Sequence, residues 1–125
     1  MALDTQANEK HAIHGYVCPD LHDQFETYRR KLGLTSSSAL LTLLVLREIK
    51  LQRLAASTGR AREGEPRNAK VSAYIDSGKA QAFKGLIDQL GRSASDCAAD
   101  LVARELEERW LEATLEMPAP VRGSG

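Results

Sequence analysis

The stretch HAIHGYVCPDLH, residues 11–22, places His11, His14, Cys18 and His22 at intervals of 3, 4 and 4. Imidazole and thiolate groups at short spacings are the ligands that hold zinc and related ions. The alternation of the same stretch argues against that chemistry. As an extended strand it puts His14 and Cys18 on one face but about 13 Å apart, too far for one ion. The positions 58 residues beyond His14, Cys18 and His22 hold Ser72, Asp76 and Ala80. No metal site is expected. Nucleophilic catalysis is the other chemistry to seek, because hydroxyl residues cluster in Thr35-Ser36-Ser37 and around Ser93 and Ser95. These clusters fall where helices should begin, and no histidine base is placed beside them by sequence. There is no Gly-rich phosphate loop, no HExxH and no GxSxG. The chain is expected to be no enzyme and to carry no cofactor.

An internal repeat sets out the elements that must position these residues. Shifted by 58 residues, GYVC (15–18) falls on AYID (73–76), and QFETYRRKLGLTSSSALLTLLV (24–45) falls on AFKGLIDQLGRSASDCAADLVA (82–103). Tyr16/Tyr74, Phe25/Phe83, Leu32/Leu90, Gly33/Gly91, Ser37/Ser95 and Leu43/Leu101 are identical. Each half opens with a period of two. Ile13, Gly15 and Val17 alternate with His14, Tyr16 and Cys18, and Val71, Ala73 and Ile75 alternate with Lys70, Ser72, Tyr74 and Asp76, which predicts strands near 12–18 and 70–76. Leu21, Phe25, Tyr28 and Leu32 then fall on one helical face, as do Phe83, Leu86, Ile87 and Leu90. Gly33 and Gly91 stand where a helix ends in a left-handed residue. Thr35 and Ser93 are in position to cap a second helix. Four helices are predicted, near 20–32, 35–53, 78–90 and 93–115.

A unit of about 40 residues buries too little apolar surface to fold alone, and a single strand needs a partner. Two units in one chain meet both needs. The strands can pair antiparallel, within the chain by preference because the partner is tethered, and four helices can cover the apolar side of the ribbon. This explains ALLTLLVL (39–46), which is far shorter than the ~20 residues of a membrane span and reads as the central helix. Leu40, Leu43, Leu44, Leu101, Val102, Phe25 and Phe83 form its expected core. MALDTQANEK has no apolar signal core, and two cysteines in 125 residues make no disulfide framework, so a reducing, cytoplasmic setting is expected. Net charge is zero, yet residues 1–70 carry 11 Lys/Arg against 8 Asp/Glu, and residues 71–125 carry 6 against 9. Neutrality weighs against strong non-specific nucleic-acid binding.

The plan resembles the ribbon-helix-helix family of DNA-binding proteins, which includes the Arc and MetJ repressors. LGLTSSSALL (32–41) and LGRSASDCAA (90–99) are similar to that family's inter-helix turn. The fold so implied is mainly α with a short two-stranded antiparallel ribbon, a tandem pseudo-dimer. Its first unit spans 11–54, a linker 55–69 and its second unit 70–116. The resemblance implies a sequence-specific double-stranded DNA-binding protein whose ribbon enters the major groove, acting as a transcriptional repressor or a plasmid DNA-transfer (conjugation) accessory factor. Base reading then falls to His14, Tyr16, Lys70, Ser72 and Tyr74, with Ala12 in the outermost slot of the first strand. Phosphate contact falls to the helix starts at Thr35, Ser36 and Ser37 and at Ser93, Ala94 and Ser95. Because the half-strands differ, a non-palindromic site is expected, with copies self-associating along the DNA. Arg60, Arg62 and Arg67 in the linker could reach the backbone. The alternative is a protein-interaction module, antitoxin-like or a scaffold, on the same fold without DNA binding.

Overall fold

The computed structural model of the chain describes residues 10–53 and 68–116. Residues 55–67 of the expected linker, with Arg60, Arg62 and Arg67, lie outside the described residues. The elements run β1 (Lys10–Val17), α1 (Pro19–Leu32), α2 (Ser37–Leu51), β2 (Ala69–Asp76), α3 (Ser77–Leu90), α4 (Ala94–Glu108) and α5 (Trp110–Glu116). The described residues are mostly helical, with five helices and one two-stranded antiparallel sheet. β1 and β2 pair from Lys10↔Asp76 to Val17↔Ala69. Ile13, Gly15, Val17, Val71, Ala73 and Ile75 point into the core, as the period of two predicts. The helices cover that one side, α2 packing chiefly on β2 and α4 on β1. Each long second helix therefore lies on the strand of the other half.

Local chemistry explains the breaks. Pro19 opens α1, where its missing N–H costs nothing. Gly33 (φ 82°) and Gly91 (φ 68°) end α1 and α3. After Gly33, the Leu34 N–H reaches Arg29 O and the Gly33 N–H reaches Arg30 O, closing the last turn of α1. The Asp76 carboxylate caps α3 by accepting from Lys79 N at 2.8 Å. Gly15 has another reason to be glycine. A Cβ there would stand 2.7 Å from Ala98 Cβ and 3.1 Å from Ser95 O, so its absence lets α4 approach β1.

Three expectations are corrected. First, α2 starts at Ser37 and its cap is Ser36, not Thr35. The first half thus spends one more residue between its helices, and the repeat offset drops from 58 to 57 beyond that turn. In the new register Ser36, Ser38, Leu44, Val45, Arg47 and Glu48 match Ser93, Ser95, Leu101, Val102, Arg104 and Glu105, all identical. The buried positions agree: Leu40, Leu41, Leu44, Val45 and Glu48 correspond to Cys97, Ala98, Leu101, Val102 and Glu105. Second, Leu43 is 43% exposed, because this register pairs it with Asp100 and not Leu101. The other expected core residues are buried. Third, the predicted helix 93–115 breaks at Arg109, which turns left-handed (φ 51°) as Gln52 does at the end of α2 (φ 54°). α5 is the separate piece beyond that break.

No single helix among the described residues is long and apolar enough to cross a membrane; α1 and α2 would pass only as a pair, and they bend by 87° at their break. Leu40, Leu41, Leu44 and Val45, the centre of ALLTLLVL, are fully buried. The run is a core helix, and burying each leucine stabilises the fold by about 1.5–3 kcal/mol. Its one polar member ties α2 to β2, since Thr42 Oγ1 accepts from Tyr74 N at 3.1 Å.

Candidate nucleic-acid interface

With the apolar side of the ribbon packed, its other side carries the residues picked out as readers. His14, Tyr16, Lys70, Ser72 and Tyr74 all lie on that outward face. The ladder sets His14 opposite Ser72, Tyr16 opposite Lys70, and Ala12 opposite Tyr74. Facing pairs share a face and come within side-chain reach of each other. Tyr16 and Tyr74 are 42% and 46% exposed, unusually open for large aromatic groups. His14 and Ser72 are half-buried and joined, His14 Nδ1 lying 2.8 Å from Ser72 Oγ. That bond holds the imidazole and occupies the serine hydroxyl.

Ala12 is not the outermost slot. β1 begins at Lys10, whose exposed side chain extends the outward row by one place, opposite Asp76. The signal was in the sequence, since Lys10, Ala12, His14 and Tyr16 keep the period of two. Cys18 leaves the strand altogether. It caps α1 without a side-chain bond and is buried, so it does not share the face of His14. Among the described residues no group of three His, Cys, Asp or Glu could hold a metal ion.

The two helix starts differ. Ser36 Oγ accepts from Ala39 N at 3.1 Å, and the first turn of α2 contains no acid. Burial pushes the nearby Glu26 carboxyl up, but hydrogen bonds from Arg29 and Ser37 outweigh it and hold the group below its ordinary range. At α4, Ser93 Oγ accepts from Asp96 N at 3.0 Å. Asp96 sits within the first turn of that helix and accepts from Arg92 Nε at 2.8 Å. Burial pulls the Arg92 guanidinium down, yet its hydrogen bond to Asp96 and the carboxylates of Asp96 and Asp100 raise it overall, and its bonds to those two carboxylates hold the cation at the helix start. Of the expected phosphate residues, Ser36, Ser37, Ala94 and Ser95 are half-buried at the helix starts, Ser93 is exposed at its cap, and Thr35 is exposed one residue ahead of its own. Free amides and the positive dipole end at such starts favour an anion. Arg92 went unnoticed in the sequence, although it stands one residue ahead of the Ser93 cap and four ahead of Asp96, the spacing at which the two pair.

What the arrangement offers chemically is recognition. It combines a flat two-stranded face with hydrogen-bonding and aromatic groups, one lysine near each end, and capped helix starts behind. Cys97, a buried thiol two residues beyond Ser95, is pushed by burial to a pKa of about 11 and is no nucleophile at neutral pH. No family model, curated protein or solved structure matches this chain.

Proposed function

We propose that the chain is a sequence-specific double-stranded DNA-binding protein, two ribbon-helix-helix units in tandem folded as a pseudo-dimer, which inserts its ribbon into the major groove. The observation that carries this reading is the outward face of the ribbon. Four groups able to touch base edges or backbone, with Ser72 holding the His14 ring, stand in register on two paired strands, and the four long helices pack on the opposite side. A two-stranded ribbon fits the major groove, about 12 Å wide, where every base pair presents a distinct pattern of donors and acceptors. The dipoles at the starts of α2 and α4 add anion sites behind it. Only a few cations are involved, so one copy should bind weakly, and affinity should come from copies side by side on adjacent sites. Occupying a duplex in this way suits a transcriptional repressor or an accessory factor of plasmid DNA transfer. A protein-interaction module on the same fold is the competing reading.

The test is selection of bound duplexes from a random pool, followed by titration of the selected site with variants. Tyr16→Ala with Tyr74→Ala should keep the fold and lose discrimination between selected and random DNA, at about 1–3 kcal/mol for each base-edge interaction removed. Lys70→Ala should lower the slope of affinity against salt by roughly one ion. A tyrosine double variant that remains folded and selective would remove the ribbon as reader. Absence of duplex binding at low salt would leave the interaction-module reading in its place.

A further inference from the structure

The ladder register carries the proposed DNA reading one step further, to the direction in which a site is read, and depends on that reading. Matching positions of the two strands lie 58 residues apart, while facing positions run in opposite directions from Lys10↔Asp76 to Val17↔Ala69. Only one described pair is both matching and facing, His14 and Ser72. Any axis relating the strands passes between those two side chains. Two places out along each strand stand Tyr16 and Tyr74, which are matching positions and identical. Tyr16 faces Lys70, but Tyr74 faces Ala12, and Ala12 and Lys70 are again matching positions. The outward face is therefore symmetric in its tyrosines and asymmetric at its centre and on its flanks.

The geometry points to a directional reader. We infer that His14 and Lys70, diagonal neighbours on the outward face, form a donor-bearing strip from the centre to one end of the ribbon and read guanine acceptors on one side of the site. The Ala12–Tyr74 end contacts an A·T-rich side, the alanine against a thymine methyl. Guanine presents N7 and O6 acceptors in the major groove, and thymine presents its methyl. With Nδ1 bonded to Ser72 Oγ, Nε2 is the ring nitrogen left for a base edge, and the neutral ring donates from it when Nδ1 accepts the Ser72 hydroxyl proton. Ser72 is a positioning residue, since its hydroxyl is spent on the ring. Lys10 does not restore the balance, because it stands at the end of its strand, two places beyond Ala12, and the position that matches Lys70 is Ala12 itself.

The inference is tested by making the first strand's face copy the second. The double variant Ala12→Lys, His14→Ser changes one exposed and one half-buried side chain on the outward face, and its circular dichroism should match the parent's. The parent and the variant are each used to select duplexes from a random pool. The parent should yield a motif that differs from its own reverse complement, with G·C pairs at the centre and one flank. The variant should yield an inverted repeat. On the parent's motif, replacing the central G·C pair should cost the parent tenfold to a hundredfold in affinity, roughly the worth of one good base contact. Ser72→Ala should shrink that factor, and Ser72→Thr should restore it. A palindromic parent motif, or a variant that keeps the parent's directional motif, overturns the inference and leaves DNA binding intact. Failure of the parent to retain any duplex at low salt overturns the DNA reading itself.

Discussion

Where α2 presents Leu40 and Leu41 to the core, α4 presents Cys97 and Ala98 at the matching places. α2 is the bulky helix and α4 the slender one, and small residues are what let a neighbour come close. Gly15 on β1 completes the arrangement, since α4 packs on β1 and the Ala98 methyl occupies the space a Cβ of Gly15 would need. On β2 the matching place is Ala73, fully buried beneath α2. The polar interior diverges in the same way. Glu48 and Glu105 match and both are buried. Around Glu105 the structure places Tyr28 OH, which donates at 2.6 Å, Arg47 Nη1 at 2.8 Å and Leu111 N at 2.8 Å. The residue matching Tyr28 in the second half is Leu86, which has no hydroxyl to give. The two halves share a plan but are shaped for each other. The charge split follows the same rule, because Lys31–Glu112, Arg47–Glu105 and Arg53–Glu108 each set a cation of the first half on an acid of the second.

The largest expected effect separates two adjacent leucines. Leu44→Asp strands a carboxylate at a fully buried position and should unfold the chain, whereas Leu43→Asp, on the exposed side of α2, should leave it folded. Far-UV circular dichroism with a thermal melt checks both. Equal melting temperatures would break the register of α2. Next, Gly15→Ala should cost about 1–3 kcal/mol by overpacking against Ala98, and adding Ala98→Gly should recover part of it. Denaturant midpoints measure the coupling. Strictly additive effects would mean that the close approach of β1 and α4 does not constrain the strand.

Much of the fold was legible. The alternation of Ile13, Gly15 and Val17, the helical spacing of Leu21, Phe25 and Tyr28, and the glycines that end α1 and α3 are local signals, and each appears where the pattern put it. The slip from 58 to 57 was not legible from an ungapped comparison. Thr35 and Ser36 are both competent caps, and the choice between them depends on which register buries Leu40, Leu41 and Leu44. Once the one-residue insertion is allowed, LVLRE (44–48) over LVARE (101–105) becomes the strongest part of the repeat. The break at Arg109 was also hidden, because no glycine or proline marks it. It is held by a local bond across the break, Leu111 N to the Glu105 carboxylate, and by a tertiary one, Glu112 N to Tyr28 OH at 3.1 Å. On the outward face the residue types were readable, but which of them share a rung required the ladder. The His14–Ser72 bond could not have been found without it.

Tyr28→Phe sharpens the comparison at the polar core. It removes one hydroxyl, which both donates to Glu105 and accepts from Glu112 N. Loss of about 1–3 kcal/mol is expected, since a buried carboxylate loses a partner. α5 should loosen with it, seen as faster amide exchange at Leu111 and Glu112. Leu86, at the matching place, has no such bond, so Leu86→Met should cost less than about 1.5 kcal/mol. Equal effects at the two positions would mean that the hydroxyl adds nothing.

The smallest effect concerns the ion pairs that cross between the halves, read through pH. Burial pushes the Glu108 carboxyl up, but hydrogen bonds from Arg53 and Arg104 outweigh it and hold the group below its ordinary range. Glu112 is held low by the Lys31 ammonium and then by Arg109. A group whose pKa is depressed by folding stabilises the fold above its unfolded value, and that contribution is lost as pH falls through the folded value. Unfolded carboxyls titrate near pH 4.3, so the melting temperature should drop on acidification from about pH 5 downward. Glu108→Gln should flatten the acid limb by removing one titrating group and its bonds to Arg53 and Arg104. Its cost at neutral pH should stay within about 1 kcal/mol, because the Glu108 side chain is 34% exposed and solvent screens the pair. High salt should narrow the gap between parent and variant. If the acid limb is unchanged by Glu108→Gln, the Arg53–Glu108 pair does not help the two halves hold together, and their fit rests on the packing of α2 on β2 and of α4 on β1, the Glu105 network and the remaining Lys31–Glu112 pair.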